Sequence, residues 1–197
     1  MSRRIVVVLL QPVSWTPPGV DPGRWRAALA EDAVDLLATL AAADGGLAAP
    51  PGARPLAEAV AWPGMPVYDV PTATATAALA AADGYDQAAV LAPDAPDLPG
   101  LVLGKLLRPL SSRPVAVAAA TGGGLLGLAC RLPAPAWLPP VDLDRASVAQ
   151  LRAAAPHPGA LAEVPGWRRL RDPHGLAALD PAVEGWAATR TLLAGSR

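Results

Sequence analysis

Short apolar runs alternate with longer amphipathic stretches along this chain, and the alternation predicts most of its elements. Residues 5–10 (Ile-Val-Val-Val-Leu-Leu) are an unbroken apolar run of the kind found in a strand buried on both faces. Residues 11–23 hold four prolines and two glycines and read as a loop. Residues 24–42 read as a helix. Trp25, Leu29, Leu36, Leu37 and Leu40 recur at helical spacing, with Glu31, Asp32 and Asp35 mostly on the other side. Asp44-Gly-Gly46 is expected to stop it. Residues 47–49 form a short strand candidate, 56–62 a short helix and 66–70 another strand. Residues 72–82 fit two patterns: threonines alternate with alanines, yet 77–82 favours a helix that Thr72 would cap.

Asp83-Gly84 turns the chain into a strand at 88–92, followed by a helix at 98–107 that carries Gly100 and Gly104 at some cost. A strand at 115–119 leads to the turn Thr121-Gly-Gly-Gly124, and 125–130 is apolar again. Residues 133–140 form a proline-rich loop around Trp137, and 144–154 and 181–193 read as helices. Strand and helix alternate through five strands, which predicts an α/β fold: a three-layer α/β/α sandwich on a mostly parallel sheet with right-handed crossovers. No internal repeat and no flexible linker interrupts it, so one domain over residues 1–197 is expected.

Composition narrows the function classes. Apolar residues are 52% and charged residues 17%, with 24 prolines, six Trp and no Phe. The core must be built from Leu, Val, Ala and some of the Trp, and the prolines exclude a purely helical bundle. The Ala, Arg, Pro and Gly bias reads as genome composition rather than function. Net charge is −1, and of 16 basic residues all but Lys105 are Arg; nothing in this balance favours a nucleic-acid partner. One cysteine, Cys130, excludes an internal disulfide and reads as a small packed hydrophobe. The start at Met1 resembles a secretion leader, but its apolar run meets Gln11 and Pro12 after six residues, so a first strand and a cytoplasmic location are expected. No stretch approaches the roughly 20 apolar residues of a membrane span.

Candidate chemistry concentrates where residues 88–92 end on Pro93-Asp94-Ala95-Pro96-Asp97. In open α/β sheets ligands sit beyond the carboxyl ends of the strands, and a carboxylate there can hold a divalent metal against a phosphate-bearing substrate. Asp94 is the strongest candidate; Asp97 could share the metal or cap the following helix. Thr121, Gly122 and Gly123 follow the next strand, where glycines let backbone amides approach a ligand closely, or simply turn the chain. No GxxxxGK[ST] or GxGxxG motif is present. Asp142 and Asp144 straddle Leu143, and Asp144 reads as a helix cap. Asp172 with His174 could take a metal or a phosphate, or be a surface turn; His157, between two prolines, reads as exposed. Arg168, Arg169 and Arg171 form a local basic patch able to meet a phosphate.

These segments resemble the DUF2064 family, a branch of the glycosyltransferase type A and sugar nucleotidyltransferase-like superfamily, and more distantly the guanylyltransferase that activates 2-phospho-L-lactate. Leu91-Ala-Pro-Asp-Ala-Pro-Asp-Leu-Pro99 is similar to the family's Ser-Asp-x-Pro-Asp-Leu segment, whose first Asp contacts the metal; Asp94 falls on that position. Ala120-Thr-Gly-Gly-Gly-Leu-Leu-Gly-Leu128 resembles its Asp-Gly-Gly-Tyr and Leu-x-Gly-Leu segments, and the helix carrying Glu31-Asp32 its first helix. Arg171-Asp-Pro-His-Gly-Leu-Ala-Ala-Leu179 looks like a worn form of its C-terminal Asp-x-Asp-Thr-x-Glu-Asp-Leu segment. The resemblance implies a nucleotide-diphospho-sugar transferase-like fold, a nucleoside triphosphate or nucleotide-sugar donor, Mg²⁺ or Mn²⁺ held by Asp94, Asp97 and Asp172, and substrate contacts from Gln11, Pro12, Thr121, Gly122, Gly123 and Arg171.

The departures are as informative. The family's Ala-Lys-x-Pro-x-x-Gly-x-x-Lys-Thr-Arg loop is Leu10-Gln-Pro-Val-Ser-Trp-Thr-Pro-Pro-Gly19 here, without its lysines and arginine. Thr121 stands at the acidic position of Asp-Gly-Gly-Tyr and Gly124 at the tyrosine. Each lost charge-assisted bond is worth about 1.5–3 kcal/mol. Two readings therefore stand: a metal-dependent nucleotidyltransferase or glycosyltransferase, or a non-catalytic relative that binds a small molecule or a protein partner. A cation in the crevice, from Arg24, Arg26 or Arg171, would favour the first; a filled crevice, or Trp15 or Trp62 exposed beside it, the second. The oligomeric state stays open, a homodimer included.

Overall fold

Ile5, Val7 and Leu9 pack on one side of the central sheet and Val6, Val8 and Leu10 on the other, so the first strand has no face left for polar residues. The computed structural model describes residues 2–195; Met1, Ser196 and Arg197 lie outside it. Seven strands form one sheet: β1 (Arg4–Leu9), β2 (Asp44–Ala49), β3 (Val67–Asp69), β4 (Gln87–Leu91), β5 (Val115–Thr121), β6 (Leu125–Arg131) and β7 (Leu161–Arg168). Their spatial order is β3-β2-β1-β4-β6-β5-β7, and β6 alone runs against the rest. The carboxyl ends of β1, β4, β5 and β7 and the amino end of β6 therefore meet along one edge.

Helices cover both faces, giving the expected three layers. On one side α1 (Pro22–Ala38), α2 (Arg54–Val60) and α4 (Gly100–Leu107) bury Val34, Leu37, Ala57, Leu103 and Leu106 against Val6, Val8, Leu91 and Leu126. On the other, α3 (Ala75–Ala81) and α5 (Val148–Ala154) bring Leu79 and Leu151 onto Val7, Val90, Val117 and Leu128. Two further helices, α6 (Pro173–Ala177) and α7 (Ala187–Ala194), follow the last strand. Trp25, Leu29 and Leu170 form a satellite cluster with Trp15, Leu176 and Leu192 beside the carboxyl edge. Among the described residues no helix is long and apolar enough to cross a membrane.

Several boundaries differ from the sequence expectation for identifiable reasons. Helix α1 begins at Pro22 because Asp21 caps it, its side chain accepting from the Arg24 amide at 2.8 Å. Asp44-Gly-Gly46 is not a stop but the start of β2. A side chain at Gly45 would press on Leu37 Cβ at 3.0 Å and one at Gly46 on Ile5 Cδ1 at 3.1 Å, so glycine is what lets this strand pass under its neighbours. Thr74, not Thr72, caps α3. Asp144 does not cap α5; Ser147 does, with Gln150 completing a capping box. The helix expected over 181–193 begins six residues later, as α7 (Ala187–Ala194). Strand β7, which the sequence pattern did not announce, is the sheet's second edge.

Asp32, placed by periodicity on the polar side of α1, is buried and caps α7: its two carboxylate oxygens accept from the Ala188 and Thr189 amides at 2.9 Å. Burial pushes its carboxyl above the ordinary value, against the lowering effect of the Thr189 and Ala188 hydrogen bonds. Cys130 is fully buried on β6, and burial pushes its thiol up to about 12. The protonated thiol does not attack disulfides, so the native protein is expected to stay unreactive toward a chromogenic disulfide at about pH 8 and to react fully once unfolded. Rapid labelling of the native protein would contradict this packing.

Candidate functional site

Asp94 stands three residues beyond the end of β4, and its backbone carbonyl accepts from the Leu170 amide at 2.7 Å. That bond brings the chain after β7 directly over the end of β4. Arg169 enters the crevice from there. Its Nε donates to Asp94 Oδ1 at 2.5 Å and its Nη2 to Asp94 Oδ2 at 3.0 Å, a bidentate pair with both side chains at most 2% exposed. Arg169 Nη1 donates to the Leu125 and Leu143 carbonyls at 3.0 and 3.2 Å, and Nη2 also to Asp144 Oδ1 at 2.7 Å. A planar fork that fills both carboxylate oxygens and several further acceptors is what arginine, unlike lysine, can supply.

The remaining carboxylates are engaged in the same way. Asp97 does not cap α4, whose N-cap Pro99 has no side-chain bond; its fully buried carboxylate accepts from Trp167 Nε1 at 3.1 Å and from Arg168. The Arg168 guanidinium lies over the Trp167 ring at 4.7 Å. Asp144 Oδ1 accepts from Gln11 Nε2 at 2.7 Å and Arg171 Nη2 at 2.6 Å besides Arg169. Asp172 caps α6 through the Gly175 amide at 2.7 Å, and so serves a short helix rather than joining Asp94 and Asp97.

Of the other sequence candidates, Gln11 is buried and, like Arg171, donates to Asp144, and Arg171 Nη1 also donates to the Gly123 carbonyl at 3.0 Å. Pro12, beside Gln11, is exposed. Thr121, Gly122 and Gly123 form an exposed turn; Gly122, Gly123 and Gly124 all have positive φ, which admits glycine at little cost and strains other residues. Arg26 donates to the Leu10 carbonyl at 2.6 Å, while Arg24 lines a groove of about 550 Å³ between α1 and α7 instead of the crevice. Trp15 is half-buried against Trp25, ring edge to face at 6.2 Å, and Trp62 is exposed on the opposite edge of the sheet, bonded to Asp35.

The residues do not fit a divalent cation as arranged. A hard metal needs several oxygen ligands converging on one point with free lone pairs. Asp94 and Asp97 instead present both oxygens to N–H donors, and Asp172 is spent on α6. Among the described residues no group of three or more His, Cys, Asp and Glu side chains is placed to hold a metal. The sequence missed Arg169 as the partner of Asp94 and Asp144 as a member of the crevice; the run Arg168-Arg169-Leu170-Arg171 was the available signal, and the D-x-D spacing of Asp142 and Asp144 a faint one.

No protein-family model matches the chain, and no curated protein sequence does. Solved structures do match. A candidate nucleotide-diphospho-sugar transferase from Desulfovibrio desulfuricans is 19% identical with a TM-score of 0.66, covering 100% of this chain and 98% of that one. CMP:2-keto-3-deoxy-manno-octonic acid synthetase complexed with CTP is 15% identical with a TM-score of 0.59, covering 100% of both. Glucosyl-3-phosphoglycerate synthase from Mycobacterium tuberculosis, in complex with Mg²⁺ and UDP, is 14% identical with a TM-score of 0.56, covering 98% of this chain and 77% of that one. The seven-stranded sheet and its two helical layers are thus the nucleotide-diphospho-sugar transferase-like fold, shared at a distance with nucleotidyltransferases and glycosyltransferases.

Proposed function

We propose that this chain is a non-catalytic member of the nucleotidyltransferase- and glycosyltransferase-like superfamily, a module whose crevice binds a small phosphate-bearing molecule without metal-dependent transfer. One observation carries the reading: the buried bidentate pair of Arg169 with Asp94, the position the family resemblance assigns to the metal ligand. Arg171 does come to the carboxylates at the strand ends, as a transferase would need, but its Nη2 and Nη1 are engaged by Asp144 and the Gly123 carbonyl, and a cation approaching Asp94 meets a guanidinium already seated on both oxygens. Displacing that group would strand a buried positive charge, which costs several kcal/mol. The loop at 11–23 also lacks the lysines and arginine that the resemblance calls for on the donor phosphates, so the charge compensation a transferred phosphoryl or glycosyl leaving group needs is missing on that side as well.

Calorimetry with nucleoside triphosphates and common nucleotide sugars tests this, with Mg²⁺ or Mn²⁺ in one arm and EDTA in the other. The expected result is that no donor needs metal in order to bind, any binding persisting in EDTA, and that no donor is turned over in either arm. Metal-dependent binding of one nucleotide, lost in Asp94→Ala and accompanied by turnover, would overturn the proposal and restore Asp94 as a metal ligand of a working transferase.

A further inference from the structure

One oxygen of Asp144 collects three donors. Gln11 Nε2, Arg169 Nη2 and Arg171 Nη2 all point at Oδ1, at 2.7, 2.7 and 2.6 Å. They arrive from two separate parts of the chain: Gln11 just past the end of β1, and Arg169 and Arg171 from the short segment between β7 and α6. Convergent, charge-assisted donors of this kind suit an oxygen of a phosphate group as well as they suit a carboxylate. The donors themselves are held firmly, Gln11 and Arg169 being buried and Arg169 fixed by Asp94, Leu125 and Leu143. Asp144 is the looser partner, with its side chain 34% exposed.

One donor in the same cradle makes no hydrogen bond: Arg171 Nε is buried and lies 3.7 Å from Asp94 Oδ2, close enough for an ion pair and too far for a hydrogen bond. An anionic oxygen seated beside it would be a closer acceptor than the protein places there. Room exists on the glycine side: Cβ atoms built on Gly122 and Gly123 meet nothing within 4 Å, and Arg171 is tied to the Gly123 carbonyl. Asp144 can leave by side-chain rotation alone, because its backbone is anchored separately. Its amide donates to Asp142 Oδ1 at 2.8 Å, and the preceding Leu143 carbonyl accepts from Leu125 and Arg169.

We infer that Gln11, Arg169 and Arg171 form a metal-independent cradle for a phosphate group of a small molecule, which the Asp144 carboxylate occupies until the ligand displaces it. This rests on the reading of the crevice as a binding site and names the chemistry it takes. Asp144 thereby sets the threshold for binding: the ligand competes with a built-in anion, and neutralising that anion favours the ligand.

The test is calorimetry in EDTA with inorganic phosphate, pyrophosphate and a nucleoside diphosphate on the wild type, Asp144→Asn and Asp144→Asn with Arg171→Gln. Asp144→Asn keeps the side-chain shape and is expected to bind at least one of the three about tenfold or more tightly than the wild type, since a like charge leaves the site. Adding Arg171→Gln is expected to abolish the gain. Asp144→Ser provides the same comparison if the asparagine variant folds poorly. Equal affinity in wild type and the Asp144 variants, or a gain that survives Arg171→Gln, would overturn the cradle. Because EDTA is present throughout, that failure is separate from metal-dependent binding by the wild type, which would overturn the proposed function instead.

Discussion

Replacing Arg169 with Met is expected to cost about 3–5 kcal/mol of folding stability, read as a drop in the urea midpoint with an unchanged slope. The substitution keeps the length and the apolar stem of the side chain but removes the whole fork. Asp94 then loses both of its close donors and keeps only the longer ion pair to Arg171 Nε at 3.7 Å, and the Leu125 and Leu143 carbonyls lose a donor at the same time. The penalty comes from the stranded charge more than from the worth of the pair, because two buried charges repay their desolvation only partly. A double variant, Arg169→Met with Asp94→Leu, is therefore expected to recover most of the loss. Arg169→Lys is expected to behave more like Met than like wild type, since one ammonium cannot span both Asp94 oxygens and Asp144. A loss in Arg169→Met below about 1 kcal/mol, the range of an exposed pair, would show that this pair is not the buried clamp described here.

Gly166→Ala is the second large effect. Strand β7 pairs with β5 as Ala118 with Val164 and then Ala120 with Trp167, so Pro165 and Gly166 face the single residue Ala119. The extra residue is a bulge that rephases the strand and delivers Trp167 and Arg168 to Asp97. A Cβ on Gly166 would overlap the carbonyl of Ala119, which is backbone and cannot swing aside. Overpacking of this kind costs about 1–3 kcal/mol and occasionally more, and a clash with backbone belongs at the upper end. The expected outcome is a loss of about 3 kcal/mol or more, together with loss of the phosphate binding gained in Asp144→Asn when the two changes are combined. Gly104→Ala on α4 is the control. A Cβ there meets nothing within 4 Å, and the change is expected to stabilise by up to about 1 kcal/mol. Equal effects at the two positions would remove the bulge from the account of the site.

The two substitutions act on one device. Strand β7 forms the far edge of the sheet and its carboxyl end carries Arg168, Arg169 and Arg171 back over β4. The segment that lies over Asp94 therefore belongs to the sheet edge, and the charge state of the crevice depends on how β7 docks on β5. This couples stability and binding more tightly than in a site built from one loop.

Much of the fold was legible in local pattern. Residues 5–10 and 88–92 are continuous apolar runs because β1 and β4 lie at the middle of a sheet covered on both faces, and such strands leave no alternation to misread. The alternation of strand and helix through β5 set the three-layer class, and the position of Asp94 after an apolar run put it at the carboxyl edge of the sheet, where Arg169 meets it. Strand β7 escaped because Leu-Ala-Glu-Val-Pro-Gly-Trp-Arg carries a proline and a glycine in its interior, which local reading takes as a break and the structure uses as a bulge on an edge strand. Asp44-Gly-Gly46 misled in the same way, since its glycines answer the crowding of Leu37, Met65 and Ile5 and not a turn.

What the sequence by itself determined, then, is the layering of the fold and the edge at which its polar residues gather, because periodicity and strand-end position are local properties. Which charges meet at that edge was decided by the tertiary structure alone. Arg169 and Asp94 lie 75 residues apart and Gln11 and Asp144 lie 133 apart. Their pairing depends on strand order, on one bulge and on the burial that makes a charge intolerable without its partner, and the residues nearby do not say which charge meets which.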